Sequence, residues 1–83
     1  MVALRPEVAA DLERHRITVA DDDTVETLRD RLNDAYLVEV REIRERQRLG
    51  EIARADYARH VQALRDRYAL LGLPAALWTT PGA

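Results

Sequence analysis

The residues of this chain able to do chemistry are two histidines, fifteen acids and thirteen arginines, with no cysteine, serine or lysine among its 83 residues. Nucleophilic catalysis has little to work with. The aliphatic hydroxyl side chains are threonines, placed at the connector, a helix start and the tail, and no glycine-rich loop is present to cradle a phosphate. The run Asp21-Asp22-Asp23 is the first candidate for a cation. A hand-type calcium loop needs alternating oxygen ligands, a central glycine and a distal glutamate, and that spacing is missing. A run of acids just before a helix instead opposes the positive end of the helix dipole. Glu39, Glu42 and Glu45 recur every third residue, and His60 follows Asp56 by one turn. A bundle metal site calls for Glu-x-x-His on one helix, and neither His15 nor His60 has a Glu three residues before it. These residues therefore assign no catalytic site, no metal and no cofactor.

The remaining chemical candidate is Arg41-Glu42-Ile43-Arg44-Glu45-Arg46-Gln47-Arg48. On a helix, Arg41, Arg44 and Arg48 fall within about 60° of one another, which could track phosphates. Glu42 and Glu45 interleave with them, and no aromatic or glycine-rich reader accompanies them. A solvated helix face with an i,i+4 pair between Glu42 and Arg46 accounts for the same residues. Use of arginine alone fits GC-rich codon usage, and fits also a preference for bidentate pairing with carboxylate or phosphate. Residues 1–39 carry a net −5 and residues 40–83 a net +3, giving −2 together. Attraction between the halves, within the fold or across a dimer, is the simpler use of that asymmetry. A basic surface for an acidic partner or nucleic acid is the alternative.

The elements that must position these groups read as helices. Apolar residues make up 47% and charged residues 34%, which places the chain among folded proteins. Pro6 suits a first helical turn, and Val8, Ala9 and Leu12 continue a short helix to about Arg14. Residues 15–22 connect. Asp23-Thr24-Val25-Glu26 fits a capping box, so the next helix starts near Thr24. Val25, Leu28, Leu32, Ala35, Tyr36, Val40 and Ile43 step along one face of it. Nothing interrupts the pattern before Gly50, so this helix covers about residues 24–49, roughly 37 Å at 1.5 Å per residue. Gly50 can take the left-handed conformation that closes a helix. Tyr57, Val61, Leu64, Tyr68 and Leu71 then mark a second helix over about residues 53–71. Gly72-Leu73-Pro74 ends it, with Gly72 as a left-handed stop. Ala75–Trp78 can add a turn that packs on the hairpin, and residues 79–83 are expected to fray.

The expected fold is all-α: an antiparallel helical hairpin with a short N-terminal helix, forming one domain over residues 1–83. A lone chain this small buries only roughly 60% of the surface it exposes when unfolded, so it benefits from a partner. The long helix also carries surplus apolar surface. Tyr36, Leu37, Val38 and Val40 crowd together, and at 100° per residue Leu37 and Val38 point away from the main stripe. The N-terminal helix, through Leu4, Val8 and Leu12, can cover them in a three-helix bundle; a second copy can do so in a dimeric bundle. The residues expected to form core or self-association surface are Leu28, Leu32, Tyr36, Leu37, Val40, Ile43, Val61, Leu64 and Tyr68. No apolar run approaches the ~20 residues of a membrane span, and no signal peptide is evident, so the expected compartment is the cytoplasm.

Leu49-Gly50-Glu51-Ile52, followed by Asp56-Tyr57 and Leu64, resembles the short bacterial helical-hairpin module called SHOCT. There a helix ends at a Gly-x-Ile turn and an acid-aromatic pair opens the next. The resemblance covers about 25 of the 83 residues. It departs at Ala53, where that family favours a Ser or Thr cap, and the first helix here is much longer. It implies an oligomerisation or interaction module. A turn between two amphipathic helices produces the same pattern on physical grounds, so the resemblance assigns no family. Three functional readings follow: a self-associating interaction module, most simply a homodimer; a small nucleic-acid-binding regulator using Arg41, Arg44 and Arg48; and, weakest, a subunit of an enzyme assembly.

Overall fold

A computed structural model describes residues 1–81. It is all-helical, with α1 over Pro6–Arg14, α2 over Val25–Arg48 and α3 over Arg54–Arg67, followed by 3-10 turns at Ala69–Gly72 and Ala75–Leu77. The described residues hold no helix long and apolar enough to cross a membrane.

Each boundary has a local cause. α2 opens at Thr24, whose hydroxyl accepts from the Thr27 N–H while the Thr27 hydroxyl accepts from the Thr24 N–H. This reciprocal box lies one residue later than the expected pairing of Asp23 with Glu26, because Asp23 is used elsewhere. Its carboxylate accepts from the Ala20 N–H at 2.7 Å, the Thr27 hydroxyl at 3.0 Å and the Arg31 guanidinium. Asp23 is buried, and those donors hold its carboxyl below the usual carboxylate range, the Ala20 N–H contributing most.

α2 ends as expected at Gly50, with φ +80°. The Gly50 N–H donates to Gln47 O and the Glu51 N–H to Arg46 O, which closes the helix in a Schellman motif. α1 ends in the same way without a glycine. Arg16 takes φ +59°, its N–H donates to Glu13 O, and the Ile17 N–H donates to Leu12 O. α3 starts at Ala53 with no side-chain cap. It stops at Arg67, four residues before the expected Leu71. Pro74 cannot donate to Leu70 O and Gly72 is a poor helix former, so the last turn tightens into 3-10 bonds, Leu71 N–H to Tyr68 O and Leu73 N–H to Leu70 O. Gly72 does not take the expected left-handed conformation, and Gly50 is the only described glycine that does.

The partners of α2 fall in sequence number as α2 rises. Arg29 reaches Leu71 O, Tyr36 meets Tyr68 edge-to-face at 5.4 Å, and Val40 lines a groove with Tyr57 and Val61. α2 and α3 therefore run antiparallel. α1 lies against the end away from the Gly50 turn. Val8, Leu12, Leu28, Leu32, Leu64, Tyr68, Leu70 and Trp78 are all buried there.

The C-terminal segment closes this end. Trp78 is fully buried and its Nε1–H donates to Leu73 O at 3.1 Å. The Arg5 N–H donates to Trp78 O, the Thr80 N–H donates to Ala3 O, and Leu4 pairs with Thr79 as an isolated antiparallel bridge. Thr79 and Thr80 are thus tied to the N-terminal segment rather than frayed, because this pairing satisfies backbone groups on both segments. For residues 82–83 the expected fraying lies outside the described residues.

The opposite end is an arm of two helices alone. The molecule measures 49 × 19 × 17 Å, with a radius of gyration of 15.1 Å. A compact chain of this length would have about 12 Å.

Candidate interaction surface

Two concave regions flank the hairpin. The larger, about 710 Å³, lies where α1 meets α2 and α3 and is lined by polar groups including Arg14, His15, Glu39, Arg67 and Tyr68. Its polar tips are used within the chain. The Tyr68 hydroxyl donates to the Glu39 carboxylate, and Arg67 stands 3.4 Å from the same group. The His15 ring stacks on the Tyr68 ring at 4.2 Å between centroids, and its Nε2 lies 2.8 Å from Arg67 O. Burial pushes the Tyr68 phenol up to about 12, aided by its hydrogen bond to Glu39 and the charge there. A phenol held neutral in this way is a poor nucleophile or base at physiological pH. The cleft therefore works as a joint fastening α1 to the hairpin.

The second region, about 490 Å³, is an apolar groove along the arm. Tyr36, Leu37 and Val40 of α2 face Tyr57, Ala58 and Val61 of α3, with Arg44 and Arg65 at its rim. Tyr36, Val40, Tyr57 and Val61 are half-buried, and the whole arm beyond them holds only Ile43 and Ile52 as buried residues. Two helices alone cannot enclose these side chains.

The nine residues expected as core or self-association surface divide along the rod. Leu28, Leu32, Leu64 and Tyr68 are buried at the closed end, and Ile43 is buried in the arm. Tyr36, Val40 and Val61 are half-buried in the groove wall. Leu37 is 39% exposed and its neighbour Val38 50% exposed. α1 shares a cleft with Glu39, Arg67 and Tyr68 and lies beside Ala69, Leu70 and Leu73, and it leaves Leu37 and Val38 exposed. The expected turn at Ala75–Trp78 packs with Trp78 fully buried, whereas Leu70 and Ile52 were not expected in the core. They sit in turns, where no helical period marks a buried position.

The charged candidates are scattered. Arg41, Arg44 and Arg48 are exposed on one side of α2, and Arg48 is held by Glu45 at 2.5 Å. That bond lowers the Glu45 carboxyl below its usual range. Arg46 pairs with Glu51 across the Gly50 turn at 3.6 Å rather than with Glu42. Asp56 pairs with Arg59, not His60. His15 and Glu39 meet at the joint, while His60 stays exposed on α3.

No family model, curated protein or solved structure matches the chain. The resemblance of residues 49–64 to the SHOCT hairpin rests on those residues alone.

Proposed function

We propose that this chain is a self-association module whose hairpin arm pairs with a second copy. The dimer would be a bundle in which the second copy covers the α2 face around Leu37 and the groove beside it. The observation that carries this reading is the half-open apolar groove of the arm with Leu37 exposed beside it, in a chain whose total surface is large for its mass. A compact monomer of this mass exposes about 5,000 Å², whereas this chain exposes 5883 Å². The difference, about 800 Å², matches one partner's share of a standard protein–protein interface. Leu37, on the outer side of α2, is an exposed apolar residue at its middle.

The nucleic-acid reading draws less support. The side of α2 that carries Arg41, Arg44 and Arg48 also carries Glu26, Asp30 and Asp34, which repel phosphate.

Light scattering on the purified chain tests the proposal. At tens of micromolar, the proposal expects twice the monomer mass of 9.5 kDa. A strictly monomeric mass overturns it, and a monomer that binds DNA or RNA in low salt supports the regulator instead.

A further inference from the structure

The outer side of α2 carries an ordered row of charges. Viewed down the helix at 100° per residue, Glu26, Asp30, Asp34, Leu37, Arg41, Arg44 and Arg48 fall within about 80° of arc. All seven are exposed. The three acids lie on the N-terminal side of Leu37 and the three arginines on the C-terminal side. Among the described residues, Glu26, Asp30, Asp34, Arg41 and Arg44 form no ion pair within the chain, and Arg48 pairs with Glu45 alone.

Within one helix this arrangement is unfavourable. Glu26–Asp30, Asp30–Asp34 and Arg44–Arg48 are like charges one turn apart, and Arg41–Arg44 is another close like pair. The helix dipole accounts for Glu26 in the first turn and Arg48 in the last, but it fades beyond those turns and leaves the inner charges unexplained. Asp34 and Arg41 both stand about two turns from the nearest end of α2.

We infer that α2 pairs with α2 of a second copy in antiparallel fashion, about a two-fold axis through Leu37. The inference rests on the self-association proposed above and specifies its geometry. A two-fold interface brings residue i against j and j against i. Turned about Leu37, Glu26 comes level with Arg48 of the second copy and Asp30 with its Arg44, while Asp34 falls opposite Val40, one residue from its Arg41. Each pair occurs twice. The two Leu37 side chains meet at the axis, beside the apolar grooves of both copies. A parallel pairing would set acid against acid and arginine against arginine, so charge selects the orientation as well as the surface.

Two variants test this. E26R/D30R/D34R makes the stripe wholly positive, and R41E/R44E/R48E makes it wholly negative. Each alone is expected to associate at least about tenfold more weakly than the native chain, and an equimolar mixture to recover the dimer mass. Recovery also shows that both variants fold. Orientation is read from single cysteines, which the native chain lacks. Under mild oxidation, Asp30→Cys mixed with Arg44→Cys is expected to cross-link between copies, whereas Asp30→Cys alone stays uncross-linked. A native chain that is monomeric removes the self-association proposal itself. A dimeric native chain unaffected by both charge variants, or Asp30→Cys cross-linking to itself, overturns the antiparallel geometry and leaves self-association standing.

Discussion

Replacing Leu37 by alanine should weaken association by a calculable amount. Leu37 is 39% exposed in the single chain. Leucine to alanine removes three carbons, each worth about 0.8 kcal/mol when moved from water to an apolar setting. Scaled by the exposed fraction, the lost burial on pairing is about 0.9 kcal/mol per chain, and a two-fold interface loses it twice. The total of about 1.9 kcal/mol corresponds to a dissociation constant raised about 20-fold. By the same scaling, the part of Leu37 already covered in the single chain costs folding about 1.5 kcal/mol, below the about 2–5 kcal/mol for a fully buried leucine such as Leu64. Sedimentation equilibrium over a dilution series measures the first quantity. Urea unfolding under dilute, monomeric conditions measures the second. Val38→Ala is the control: Val38 is more exposed than Leu37, but it points about 100° around the helix from it. The reasoning fails if Leu37→Ala leaves the dissociation constant within about twofold of native, or if Val38→Ala weakens pairing more.

Other substitutions probe the fold that holds the arm. Gly50→Ala should destabilise by about 1 kcal/mol, purely through the left-handed backbone, because an added Cβ at Gly50 meets no atom within 4 Å. Arg16→Gly should stabilise by a similar amount in the same denaturation assay, since Arg16 bears that strain without a glycine. Trp78→Ala should cost about 3–5 kcal/mol by urea unfolding, a large part of a domain's ~5–15 kcal/mol. It should also release the backbone pairing of Thr80 to Ala3, seen as faster amide exchange at Thr80. The Tyr68 phenol is raised in the folded chain, so its contribution is intact below about pH 10 and is lost as pH climbs towards about 12. The loss should reach about 2–3 kcal/mol, and Tyr68→Phe should flatten that alkaline limb in thermal melts.

How far the residues foretold this architecture depends on where each one sits. The Gly50 turn was legible because a long apolar period ends at a glycine, and helix closure needs that conformation. The equivalent closure at Arg16 was not, since an arginine gives no signal of a left-handed position. The three adjacent apolar residues Tyr36, Leu37 and Val38 announced surplus surface on α2, because no single helix face can hold all three. The destination of α1 was hidden. It is set by Trp78, Leu70 and the pairing of residues 3–5 with 78–80, all in irregular chain where periodicity carries no information. The stripe from Glu26 to Arg48 was legible only as an uneven charge balance. Its meaning depends on which of those groups lack partners inside the fold, and only coordinates show that.

The exposed arm is proposed as one half of a homodimer. Sedimentation equilibrium of the native chain, from sub-micromolar to tens of micromolar, addresses it most directly. A reversible monomer–dimer transition is expected in that range, ending at twice the 9.5 kDa chain mass. A single species of monomer mass at every concentration would contradict it.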